Sequence, residues 1–69
     1  MVIKRKQTLA TWRTLAHMTQ EQFADALGVD RATVSQWENG RTMPRLKNIA
    51  KIEEVLKIRY FDDVIMPKQ

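Results

Sequence analysis

Apolar residues in this chain fall in short blocks at helical spacing, and each block is bracketed by residues that start or stop a helix. Leu9, Trp12 and Ala16 share one face and predict a first helix from about Gln7 to Ala16. Thr19 followed by Gln22 forms a capping box, in which the hydroxyl takes an orphan amide and the glutamine side chain reaches back. Met18 and Phe23 occupy the flanking positions of a hydrophobic staple. Phe23, Ala24 and Leu27 then line one side, and Gly28 ends a second helix of about eight residues in the left-handed conformation. Asp30 is a suitable N-cap and Val29 with Val34 makes a second staple, so a third helix runs from Arg31 to about Glu38. Asn39-Gly40 stops it. Pro44 marks the start of a longer fourth helix with Leu46, Ile49, Ala50, Ile52 and Leu56 toward the core. Lys57 to Arg59 reads as a connector and Phe61 to Met66 as a last short helix, closed by Pro67.

The length of 69 residues allows one small domain. Hydrophobic residues make up 43% and charged residues 29%, the balance of a globular chain rather than a disordered one. With only two glycines and two prolines there are too few turns for an all-β domain, so an all-α cytosolic domain is expected. No cysteine is present and His17 is the single histidine, which argues against disulfide staples and against a metal site. No apolar run approaches a membrane span, and no apolar stretch follows Lys4-Arg5-Lys6 as a secretory signal would require. The chain divides into a basic N-terminal arm over 1–6, a helical domain over 7–66 and a short tail over 67–69. The arm is read equally well as a strand that follows a DNA backbone or as a solvated tail.

The net charge of +4 suggests a polyanionic partner, and its layout refines that. Residues 1–16 carry a net +4 from Lys4, Arg5, Lys6 and Arg13. Residues 17–40 carry a net −3, with Glu21, Asp25, Asp30 and Glu38 against Arg31. Residues 41–59 return to +4. An anion contact made by the acidic middle must therefore be short-range and specific.

The third helix supplies such contacts. At about 100° per residue from Arg31, Ser35 lies about 40° round, Ala32 about 100° and Gln36 about 140°. These four share a face, opposite Val34 and Trp37. Gln36 can pair bidentately with adenine, Arg31 with guanine or a phosphate, Ala32 with a thymine methyl, and Ser35 with several groups. Any exposed helix face is polar, but on the second helix of a helix-turn-helix this set favours base readout. Arg45, at the start of the fourth helix, is a phosphate candidate. Lys47 and Lys51 read as a solvated face, and Trp12 and Trp37 as core.

The stretch MTQEQFADALGVDRATVSQWENGRTMP, residues 18–44, resembles the phage repressor and Cro-like helix-turn-helix domains, the xenobiotic-response-element family. Gln20, the Ala24-to-Gly28 spacing and Val34-Ser35-Gln36-Trp37-Glu38-Asn39-Gly40 match its pattern in register, and a looser likeness runs from Leu9 to about Ile65. The resemblance implies a compact five-helix, lambda-repressor-like domain that binds duplex DNA as a homodimer. It implies that Gln20 grips a phosphate at the start of the second helix, and that Asn39, Gly40 and Arg41 clamp the backbone. Thr33 is divided between a phosphate contact and helix packing. Arg13 and Glu38 match a pair that forms a partly buried salt bridge between the first and third helices. Four residues depart from the pattern: His17 and Lys57 stand at glycine positions, Glu53 at a small core position, and Leu15 at a polar one. The stretch from Lys57 to Ile65 is one residue longer than the pattern.

An enzyme is the weakest reading, because there is no cysteine nucleophile, no second histidine and no phosphate loop, and Asp62-Asp63 alone is no catalytic constellation. No catalytic residue, cofactor, metal or small-molecule ligand is expected. The competing reading is a protein-interaction module on the same fold, antitoxin-like or an adaptor, working through Leu15 and the Tyr60-Phe61 region.

Overall fold

The structure, a computed structural model, describes residues 6–66. It runs β1 (Gln7–Thr8), α1 (Leu9–Leu15), α2 (Gln20–Leu27), α3 (Arg31–Glu38), α4 (Leu46–Leu56), α5 (Tyr60–Asp63) and β2 (Val64–Ile65). Five helices pack around one core in which Phe23, Leu27, Val34 and Ile52 are fully buried. Leu9, Ala24, Trp37, Ile49, Ile58, Tyr60 and Val64 complete it. No helix among the described residues is long and apolar enough to cross a membrane. The proposed arm lies outside the described residues except for Lys6, as do Pro67 and the tail.

Helices α2 and α3 have the boundaries that their local signals predict. Both halves of the capping box form, Gln22 N donating to Thr19 Oγ1 at 3.0 Å and Thr19 N to Gln22 Oε1 at 2.9 Å. Gly28 closes α2 at φ 74°, the left-handed region. Asp30 has the extended backbone of an N-cap, but its side chain makes no capping bond. The tight turn between the helices follows from that glycine and from the burial of Met18, Phe23, Val29 and Val34 against each other's elements.

Both ends of the chain differ from the sequence-based expectation. Gln7 and Thr8 are a strand rather than helix, and they pair in parallel with Val64 and Ile65. Thr8 then caps α1, accepting from Thr11 N at 3.1 Å, so the helix starts at Leu9. Ala16 is the exposed C-cap and not a core residue. The last helix is only Tyr60–Asp63, because Val64 and Ile65 leave it for the strand pair. In α4, Leu46 is 76% exposed and Ala50 also faces out; the buried apolar residues there are Ile49 and Ile52. The helix starts two residues after Pro44, which is itself buried.

Three of the four residues that depart from the family pattern have structural accounts, and Leu15 is simply exposed. His17 and Lys57 adopt φ 60° and 59°, so the glycine conformation persists without glycine. Glu53 is half-buried because Oε2 accepts from Tyr60 N at 2.8 Å, capping α5. The buried Asp63 closes the same turn from inside, its Oδ2 accepting from Arg59 N at 2.8 Å. Four residues cannot hold a helix alone, and two carboxylates at its start supply what its own ladder lacks.

Two substitutions test the backbone account. A Cβ at Gly28 would meet nothing closer than Lys51 Nζ at 3.9 Å, so any loss there is conformational rather than steric. Gly28→Ala is therefore expected to cost roughly 1–2 kcal/mol. Lys57→Gly should gain up to about 1 kcal/mol by releasing a strained φ, net of the added freedom of the unfolded chain. Thermal denaturation of both variants reads the two signs, and a stabilising Gly28→Ala would refute the assignment.

Candidate nucleic-acid interface

Helix α3 is anchored by Val34 and Trp37, which are buried against α1, α2 and the core. Anchoring that side turns the other outward. Arg31, Ala32 and Gln36 are exposed and Ser35 is half-exposed, as the helical wheel requires. With Asn39 and Arg41 they line one shallow groove of about 370 Å³. The four base-reading candidates are thus brought together with two of the phosphate candidates.

The turn after α3 explains how Arg41 comes to lie there. Gly40 takes φ 75°, its N–H donates to Trp37 O at 3.2 Å, and Arg41 N donates to Gln36 O at 2.9 Å. This left-handed closure folds the chain back along the helix end, so that Arg41 returns beside Gln36. Asn39 Nδ2 donates to Ser35 Oγ at 3.3 Å, which ties two groove residues to each other. Gly40 itself is buried, Thr33 is half-buried, and Arg45 is the exposed N-cap of α4, outside the groove lining.

At the C-terminal end of α3 lies a polar network. Glu38, its side chain 6% exposed, accepts from Arg13 Nε at Oε2, 2.7 Å, and from Arg13 Nη2 at Oε1, 3.3 Å. Arg13 Nη1 donates to the Met18 carbonyl at 2.8 Å, the residue just before the α2 cap. Gln20 Nε2 donates to Glu38 Oε1 at 2.9 Å. One carboxylate therefore ties α1, α2 and α3 together. Sequence reasoning missed the Gln20 bond, although a signal existed: an arginine fork leaves lone pairs on a carboxylate that a nearby amide can use.

Residues 9–62 match the protein family described as Helix-turn-helix. The chain belongs to that helix-turn-helix family. It is 34% identical over 56 residues to the cryptic phage CTXphi transcriptional repressor RstR of Vibrio cholerae, covering 81% of this chain and 50% of that one. It is 37% identical over 57 residues to the HTH-type transcriptional regulator MJ0272 of Methanocaldococcus jannaschii, covering 83% of this chain and 86% of the relative. Identity to the HTH-type transcriptional activator BcrR of Enterococcus faecalis is 33% over 52 residues, 75% of this chain and 26% of BcrR. This helix-turn-helix chain thus spans half of RstR and about a quarter of BcrR. No solved structure gives a significant match. RstR, BcrR and MJ0272 are transcription regulators by name, and the chain carries the DNA-binding helix-turn-helix domain of that regulator family.

Removing one member of the buried pair tests how far this family's scaffold depends on it. Glu38→Ala leaves Arg13 charged and unpaired and should cost on the order of 3–5 kcal/mol. Replacing both at once, Arg13→Met with Glu38→Leu, should recover most of that loss, because no unpaired charge remains. Urea denaturation of the single and double variants checks it; equal losses would contradict the pairing account.

Proposed function

We propose that this domain is a small dimeric repressor that reads an inverted-repeat operator through α3 lying in the major groove. The observation that carries the reading is the groove in which Arg31, Ala32, Ser35 and Gln36 converge, set opposite the buried Val34 and Trp37. Gln36 pairs with adenine by donating from Nε2 and accepting at Oε1, Arg31 donates twice to guanine, Ala32 gives a methyl contact and Ser35 an adaptable hydroxyl. Gln20, Thr33, Asn39, Arg41 and Arg45 hold phosphates and set the register, while Gly40, buried with its N–H given to Trp37 O, shapes the turn that presents Arg41. Residues 7–66 form the folded reader.

A dimer suits the far end of the molecule. Phe61 is 58% exposed beside a shallow groove of about 450 Å³ lined by Glu53, Ile58, Arg59 and Asp62, and Ile65 and Met66 are exposed nearby in sequence. An aromatic anchor beside one basic residue, Arg59, and two acidic ones, Asp62 and Glu53, offers both charge signs for pairing with a second copy under a two-fold axis. Two copies would place α3 in successive major grooves about 34 Å apart. Repression then needs only occupancy of a promoter. The protein-interaction reading rests on the same exposed Phe61 and on Leu15, 60% exposed at the end of α1, but not on Tyr60, which is a core residue 3% exposed.

In vitro selection from a random duplex library at near-physiological salt tests the proposal. Enrichment of an inverted repeat with half-sites about one helical turn apart is the expected result. No enrichment, with weak binding that vanishes as salt rises, would transfer the function to a protein partner. On the selected site, Gln36→Ala should cost roughly 1–3 kcal/mol and relax preference at one base pair. Arg41→Ala should weaken all sequences alike, so a sequence-selective loss would overturn its backbone role. Phe61→Lys should convert a dimer to a monomer in analytical ultracentrifugation while leaving the thermal transition cooperative.

A further inference from the structure

The Gln20–Glu38 bond, besides tying α2 to α3, joins a proposed phosphate contact to a buried carboxylate. We infer that Glu38 is a positioning residue for DNA binding, holding the Gln20 carboxamide with its nitrogen fixed for a backbone phosphate. The inference rests on the reading of Gln20 as a phosphate contact and adds how that contact is set.

Donors and acceptors decide the orientation. An ionised carboxylate only accepts, so the Gln20 carboxamide must turn its nitrogen toward Glu38 and its oxygen away. The amide nitrogen carries two protons, and the 2.9 Å bond to Glu38 Oε1 uses one. The second remains at a fixed angle for a phosphate oxygen. Without Glu38 the carboxamide could rotate or flip, and its oxygen would repel a phosphate as readily as its nitrogen attracts one. A glutamine carries large rotamer entropy, and this bond restricts it before DNA arrives. Two anions close to one amide would ordinarily repel, but Arg13 neutralises the nearer one through contacts of 2.7 and 3.3 Å to both Glu38 oxygens. The salt bridge thus contributes to binding as well as to the scaffold.

A double-mutant cycle on the selected operator tests this, with Gln20→Ala, Glu38→Gln and the pair compared at one salt concentration. Gln20→Ala is expected to weaken binding by about 10-fold in the wild-type background, for every sequence alike. In the Glu38→Gln background the same change should cost less than about 3-fold, because the contact is already misplaced. Equal losses in both backgrounds overturn the positioning role. No loss from Gln20→Ala in the wild type overturns it through its premise and leaves α3 readout standing. Failure of the wild type to bind any duplex would instead sink the functional reading itself. Gln36→Ala serves as the control and should lose the same factor in both backgrounds.

A second measurement does not depend on the folding of Glu38→Gln. In the free wild-type protein, nuclear magnetic resonance of the Gln20 side-chain amide should show slowed solvent exchange and two well-separated proton shifts. An amide that exchanges as fast as that of the exposed Gln36 overturns the inference.

Discussion

Burial of the Glu38 carboxylate constrains the whole arrangement of the first three helices. A carboxylate 6% exposed is tolerable only if it is paired and hydrogen-bonded, and its partners come from two other elements. Arg13 reaches it from α1 and Gln20 from α2. The apolar contacts of Val34 and Trp37 hold α3 against the core but allow some rotation, since burial has no direction. The directed bonds to Glu38, at the C-terminal end of α3, add fixed contacts to α1 and α2 there, while Val34 and Trp37 turn Arg31, Ala32, Ser35 and Gln36 outward. Net stability gained from the pair is small; its contribution is orientation.

At the other end the problem is different. A chain of 69 residues has little core to spare, and its last helix has four residues. That helix persists because Glu53 and Asp63 occupy the first amides of its turn, and because the strand pair fastens Val64 and Ile65 directly after it. Trp12 Nε1 donates to the Asp63 carbonyl at 2.7 Å, so α1 is tied to the same point. The two ends of the domain are thereby closed on each other, and the face carrying Phe61 is held relative to the helices that form the α3 groove.

Helices α2 and α3 are legible in the sequence because every signal that defines them is local. Thr19, Gln22 and Gly28 act on groups within four residues, and Phe23, Ala24, Leu27, Val34 and Trp37 fall on faces that the helical period alone specifies. The groove is legible for the same reason, since the outward side of α3 follows once its inward side is known. Ala16, Leu46 and Ala50 defeat the same reasoning because periodicity marks a face without saying whether a neighbour covers it. Leu46 sits at the first turn of α4, beyond the reach of the helices that bury Ile49 and Ile52. The β1·β2 pair is invisible to it because two residues carry no period, and Gln7 meets Val64 from the opposite end of the chain.

Order along the chain was thus enough to specify the helix-turn-helix: where its helices begin and end, which side of α3 faces out, and the chemistry on that side. Caps, staples and helical period operate over a single turn, so no distant residue can veto them. Packing in three dimensions was needed to decide that Gln20 bonds to Glu38, that Glu53 caps α5, and that Val64 and Ile65 form a strand. Each of these depends on a partner brought close by other elements. A hydrogen bond needs its atoms within about 3 Å, and spacing along a chain does not fix distance across a core.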